Sequence, residues 1–216
     1  MKSLMVMICC MVLLTACGEG GSEYSVTTQS QSEGSALKTE LNNPFARLPE
    51  VAEFQVTSND ISEGKPLSTE QFSGLFGVKG GKDISPELKW SGAPEGTKSY
   101  AVTVYDPDAP TGAGFWHWAV MNIPKEVTEL PTGAGDEKGN GIPTGAIQLP
   151  NDASVKRFIG AAPPKGDGPH RYYFVVHALD VENIGIDPNS TPTFLGFNML
   201  KHTLGRAVLQ VTAEVE

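Results

Sequence analysis

Two carboxylates, two histidines and a tyrosine stand where the chain switches between apolar runs and proline-rich loops. In "AVTVYDPDAPTGAGFWHWAVMNIP" (101–124), Asp106 and Asp108 end one apolar run, and His117 opens the next between Trp116 and Trp118. Pro107 and Pro110 stiffen the segment between them. Proline fixes its own φ and biases the preceding residue toward extended backbone, so two acids two positions apart are expected on one side. A second constellation, "FIGAAPPKGDGPHRYYF" (158–174), delivers His170 and Tyr172 from a Gly/Pro loop to a strand start. Strand alternation puts His170 and Tyr172 on one face and Arg171 and Tyr173 on the other, which makes Arg171 a structural ion-pair partner. In the same way Trp116 and Trp118 are expected on one face and His117 on the other. His177 falls on the Arg171 face and His202 within a helix, and both read as structural.

Carboxylates beside imidazoles can do three kinds of chemistry. An aspartate next to His117 or His170 raises the imidazole pKa, and the resulting cation donates to an anion, helped by backbone N–H groups of the loop. Two histidines and two aspartates can instead ligate a divalent ion. An Asp–His pair can also serve as general base in a phosphoester hydrolase. The chain has no HExxH or other close-spaced ligand pair and no G-x-S-x-G elbow. The pattern therefore reads as a binding site rather than an enzyme, with no cofactor and no metal. The tryptophans and Pro110 supply apolar walls, as in most small-ligand sites.

The elements that must position these groups are short strands joined by Gly/Pro loops. Alternation and β-branched content predict strands over 51–58, 99–106, 116–123, 172–180 and 207–215. Trp90 is the expected core anchor of the loop-rich 61–90 segment, and 125–170 reads as one long surface excursion. One helix is predicted near the end. Thr191 caps it, Pro192 suits its first turn, Phe194, Phe197, Leu200 and Leu204 form its apolar face, and Gly205 ends it. The fold class is mainly β, a sandwich of antiparallel-rich sheets with one or two peripheral helices and a C-terminal helix plus strand.

The N-terminus reads as an export signal. Lys2 precedes the apolar stretch Leu4 to Leu14, too short for the roughly 20 residues a membrane span requires. Leu14-Thr15-Ala16-Cys17 resembles the lipobox of bacterial lipoproteins, cut before the cysteine that takes the lipid. Cys9 and Cys10 lie in the leader, so the mature chain keeps Cys17 alone and forms no internal disulfide. Residues 18–40 are small and polar, a flexible tether by composition. The expected organisation is 1–16 signal, 17–45 lipidated cysteine and tether, and 46–216 folded domain, anchored to a membrane of the cell envelope. A net charge of −9 with no basic run argues against a nucleic-acid partner.

"YDPDAP", "GFWHWAVMNIP" and "PPKGDGPHRYYF", supported by "SPELKWSGAPEGTKSYAVTVYDPDAP" (85–110), together resemble the phosphatidylethanolamine-binding protein family, in its bacterial Raf kinase inhibitor-like branch. The resemblance runs from about Val51 to the C-terminus. It implies a β-sandwich with a small anion pocket for phosphate or a phospholipid headgroup, and a possible protein partner at the pocket rim. It assigns Asp106, Asp108, Pro110, His117, Gly160, Ala162, Pro164, His170 and Tyr172 to that pocket. There is one departure. Bacterial members often read YGGPCPP where this chain has Phe158 to Pro164, so a tyrosine hydroxyl is lost at Phe158.

Overall fold

The longest apolar runs become the longest strands. In the computed structural model, which describes residues 43–216, the strands are β1 (Ala52–Glu53), β2 (Gln55–Thr57), β3 (Leu88–Ser91), β4 (Ser99–Asp106), β5 (Phe115–Pro124), β6 (Glu129–Leu130), β7 (Ile147–Gln148), β8 (His170–Leu179) and β9 (Thr203–Ala213). One α-helix, α1 (Pro192–Met199), lies between β8 and β9. Arg47–Glu216 form a compact unit. The leader, Cys17 and the tether to residue 42 lie outside the described residues.

A six-stranded sheet has the order β1-β9-β8-β4-β5-β7, and a three-stranded sheet the order β2-β3-β6. Among the described residues only the β1–β9 pair of strands is parallel; the other strand pairs are antiparallel. The large sheet is covered on both faces, which is why β4 and β8 are buried almost throughout. One core joins Leu88, Trp90, Val102, Val104, Trp118, Val120, Phe158, Phe174 and Val211. A second, under α1, joins Ala101, Ala119, Met121, Leu149, Leu179, Leu195 and Met199. Fully burying each large aliphatic side chain contributes about 1.5–3 kcal/mol, so these two layers supply the main driving force.

Three expectations need correction. Residues 51–58 are not one strand but two, split between the sheets at Phe54. The 125–170 stretch is not a surface excursion: it contributes β6 and β7 and buries Leu130, Leu149, Phe158, Ile159 and Ala161. The helix starts as expected, with the Thr191 side chain accepting from the Phe194 N–H, but it ends at Met199. Its buried residues are Pro192, Leu195 and Met199, while Phe194 and Phe197 face solvent. Both sides of this helix are apolar, so periodicity could not choose between them. Leu204 and Gly205 already belong to β9, and Gly205 lets that strand pass close to Pro94. His202 sits in the turn, where it donates to Asp180 at 2.8 Å.

Candidate functional site: a cavity at the strand ends

The cavity forms where β4, β5 and β8 end and two loops close over them. Its volume is about 160 Å³, and its lining includes Phe76, Asp106, Pro110, Phe115, His117, Ala162, Pro164, His170 and Tyr172. Seven of the nine residues expected at a pocket therefore converge. Asp108 and Gly160 do not line it.

The two acids part because Asp106 folds the chain around itself. Its Oδ1 accepts the N–H groups of Asp108 and Ala109, at 2.8 and 3.0 Å. That turn breaks the extended geometry on which a shared side depended. Asp106 Oδ2 accepts from His170 Nδ1 at 2.9 Å, and both side chains are almost fully buried. Asp108 turns away to Arg171. It accepts from the guanidinium at 2.8 and 2.6 Å and from the Arg171 N–H at 2.9 Å. These hydrogen bonds hold the Asp108 carboxyl below the ordinary carboxylate range.

His117 reaches the cavity through a β-bulge. Val104 pairs with Trp118 but Tyr105 pairs with Trp116, so His117 is the extra residue. Alternation is broken there, and the expected split of tryptophans from histidine does not hold. Trp116 packs on Tyr105 and donates to Thr193 of α1, whereas Trp118 packs on Phe158 in the inner core. The tryptophans are therefore not the cavity walls. Phe76 and Phe115, 6.0 Å apart and edge-on, take that place. Sequence reading missed both, and their signal was only aromatic residues adjacent to glycine loops.

The two histidines are in opposite states. His170 donates both ring N–H groups to carboxylates, Nδ1 to Asp106 at 2.9 Å and Nε2 to Asp167 at 3.1 Å. Burial works against its charge, but the two carboxylates outweigh burial and lift its pKa above the ordinary histidine value. His117 lacks such a partner. Its Nδ1–H donates to the Ile159 carbonyl at 2.9 Å, and burial lowers its pKa. His117 is thus the neutral tautomer with its lone pair on Nε2, and of the two histidines that an aspartate is expected to charge, it is His170 that holds one. Tyr172 packs edge-on against the His117 ring at 5.1 Å. Its hydroxyl is buried and has no partner at full hydrogen-bond geometry, although the Asp106 carboxylate and the Ala162 N–H lie near enough to act on it. Burial, reinforced by the negative charge of Asp106, raises its pKa.

Asp83 and Asn151, which sequence reading did not single out, hold the loops beside the cavity. Gly160 donates to Asp83 Oδ1 at 2.8 Å, and the other Asp83 oxygen accepts from the Leu75 N–H at 2.9 Å. A side chain at Gly160 would collide with the backbone of Gln71 and Phe72. Asn151 ties the His117 and Arg157 carbonyls together. Phe158 is buried between Trp118 and Phe174, so the ring that lacks a hydroxyl is a core residue. Among the described residues no group of three or more His, Cys, Asp or Glu side chains is arranged to hold a metal ion. A larger, open depression of about 450 Å³ lies along the 137–148 loop, but its Gln148 amide is already bonded to Trp118 and to the Asp136 carbonyl.

The phosphatidylethanolamine-binding protein family model matches residues 57–214. The chain belongs to this family. The chain is 50% identical over 167 residues to the UPF0098 protein YbcL of Escherichia coli K12, covering 77% of this chain and 91% of that one. The crystal structure of E. coli YbcL, described as a new member of the mammalian PEBP family, superposes with a TM-score of 0.73 at 51% identity. It covers 76% of this chain and all of that one. A Chlamydia trachomatis homologue of the family, CT736, gives a TM-score of 0.62 at 30% identity over 76% of this chain and 99% of that one. The provisionally named lipoprotein LppC of Mycobacterium tuberculosis is 28% identical over 203 residues, 94% of this chain and 90% of that one.

Proposed function

We propose that this chain is a membrane-tethered binding protein whose cavity takes a small oxyanion, a phosphate or the phosphate of a lipid headgroup. The observation that carries this reading is the buried Tyr172 hydroxyl without a partner, beside His117 in a cavity of about 160 Å³. An unsatisfied buried hydroxyl costs about 1–3 kcal/mol, which a ligand oxygen would recover by accepting from it. The His117 Nε2 lone pair suits an O–H on the same ligand, and a singly protonated phosphate offers both groups. The His170 imidazolium lends positive charge to the wall, while Phe76, Phe115 and Pro110 exclude water.

Turnover finds less support in this arrangement. Of the lining hydroxyls, Thr111 donates to the Gly114 carbonyl and Tyr172 has its pKa raised, so neither is an activated nucleophile. Calorimetric titration of inorganic phosphate, run beside a hydrolysis assay on phosphomono- and phosphodiesters, tests the reading. Binding without hydrolysis supports it, and hydrolysis that the Tyr172→Phe variant loses points to an enzyme.

The anchor rests on Leu14-Thr15-Ala16-Cys17 and on the likeness to LppC along nearly the whole chain. A single acyl chain binds membranes only marginally, so stable attachment needs the several chains of a lipoprotein cysteine. Cys17→Ser should abolish incorporation of labelled fatty acid; equal labelling of the serine variant would rule out a lipid anchor at Cys17. Beside the cavity, Leu75 and Phe76 are about half exposed on a loop pinned by Asp83 and Ser73, which favours a protein partner docking at the rim as a second reading. Leu75→Ser should then lose a captured partner while still binding phosphate.

A further inference from the structure

His170 gives its two N–H groups to carboxylates of contrasting character. Asp106 is fixed: its side chain is 3% exposed and accepts two backbone N–H groups besides His170. Asp167 is 46% exposed. It lies between Gly166 and Gly168, both at positive φ, in a loop closed by the Asp167 N–H donating to the Pro164 carbonyl. Pro164, at the foot of that loop, lines the cavity, and so does His170, whereas Asp167 does not. The cavity wall thus contains an imidazolium whose outward N–H is already held by an anionic oxygen of the chain itself.

We propose that Asp167 is an internal surrogate ligand: its carboxylate holds His170 Nε2 at the edge of the cavity in the free protein and yields it to an incoming phosphate oxygen. The inference rests on the oxyanion reading of the cavity and says how that cavity is regulated. Exchanging one anionic acceptor for another conserves the charge-assisted hydrogen bond, so its strength does not add fully to ligand affinity. The tethered carboxylate competes at the high effective concentration of a short loop. Leaving costs it little, because it is half in water and its glycine neighbours let the loop re-aim. Other charges near His170 are differently placed. Asp106 stays bonded to Nδ1, Asp108 is neutralised by Arg171, and Lys165 lies two residues before Asp167 in the same loop.

Two carboxylates on one imidazole thus predict opposite signs. Inorganic phosphate would be titrated by calorimetry into the full chain in detergent, as wild type, Asp167→Asn and Asp167→Ala, with the His170 pKa followed by NMR. Both variants should bind phosphate more tightly, by about threefold or more, the scale of a half-exposed ion pair. The His170 pKa should nevertheless fall, because a carboxylate partner is gone. Binding by Asp167→Asn alone, with none by wild type, would support the same conclusion in a stronger form. Equal or weaker binding by both variants, with wild type still binding, overturns the surrogate role and leaves the oxyanion cavity standing. No phosphate binding by any of the three proteins overturns both.

Discussion

Asp106 and Asp108 carry the same side chain two residues apart, yet one is bonded to a cavity histidine and the other to an arginine outside the cavity. The difference arises from hydrogen bonding after the strand ends, which residue spacing alone does not encode. Asp106 caps its own turn and leaves one oxygen for His170. His117 and His170 diverge for the same kind of reason, since only His170 has carboxylate partners at both ring nitrogens. Tyr172 is the sharpest case at this scale. Its hydroxyl has no well-formed protein bond to lose and its burial is itself a cost, so Tyr172→Phe should leave unfolding free energy unlowered and raise it by up to about 1–3 kcal/mol. The same change should weaken phosphate binding about 10-fold or more, the worth of a hydrogen bond to a charged group. Denaturant titration and calorimetry on one preparation read both. Equal losses of stability and affinity would show that the hydroxyl is structural.

At the scale of elements, much of the fold was legible. The runs 99–106, 116–123, 172–180 and 207–215 all became strands, because β-branched and aromatic residues dominate them. The Thr191 cap was legible too, since capping is local chemistry. What failed was decided by tertiary contacts. The bulge at His117 depends on how β5 pairs with β4, and the buried side of α1 depends on what lies beneath it. The 125–170 stretch likewise reads as a surface excursion, but its 158–164 part is clamped. Ala161 exchanges backbone bonds with Gln71 and Ser73, and Gly160 packs on the Gln71 and Phe72 backbone. Gly160→Ala should therefore cost about 2 kcal/mol or more in stability, as overpacking against fixed backbone does. A shift of the urea midpoint measures it, and an unchanged midpoint would mean the clamp gives way freely.

Across the whole molecule, buried histidines make stability depend on pH. His177 is 5% exposed, in a hydrogen bond with Thr103 at 3.0 Å. Burial, with a smaller contribution from the positive charge of Arg206, lowers its pKa to about 3. Its pKa in the unfolded chain is about 6.5, so on acidification the unfolded state takes up this proton first. The stability it contributes is complete above pH ~6.5 and is lost as pH falls toward 3. His117 acts in the same direction, and His170, with its raised pKa, acts in the opposite one. Between about pH 8 and about pH 5 the His177 share is about 2 kcal/mol. His177→Gln should flatten the pH dependence of unfolding free energy by that amount; identical slopes for the two proteins would contradict it.

The central claim is that a buried aspartate serves an anion site by charging a histidine, and one comparison tests it directly. Inorganic phosphate would be titrated by calorimetry into wild type and Asp106→Asn at the same mildly acidic pH, so that the ionisation of phosphate cancels. Asparagine can still accept the turn N–H bonds, but it no longer favours the His170 cation. Affinity should fall by about threefold or more although a negative charge has been removed from the cavity wall, because the wall loses the His170 cation. Tighter phosphate binding by Asp106→Asn would show simple repulsion between Asp106 and the anion, and would contradict the claim that Asp106 acts by charging His170.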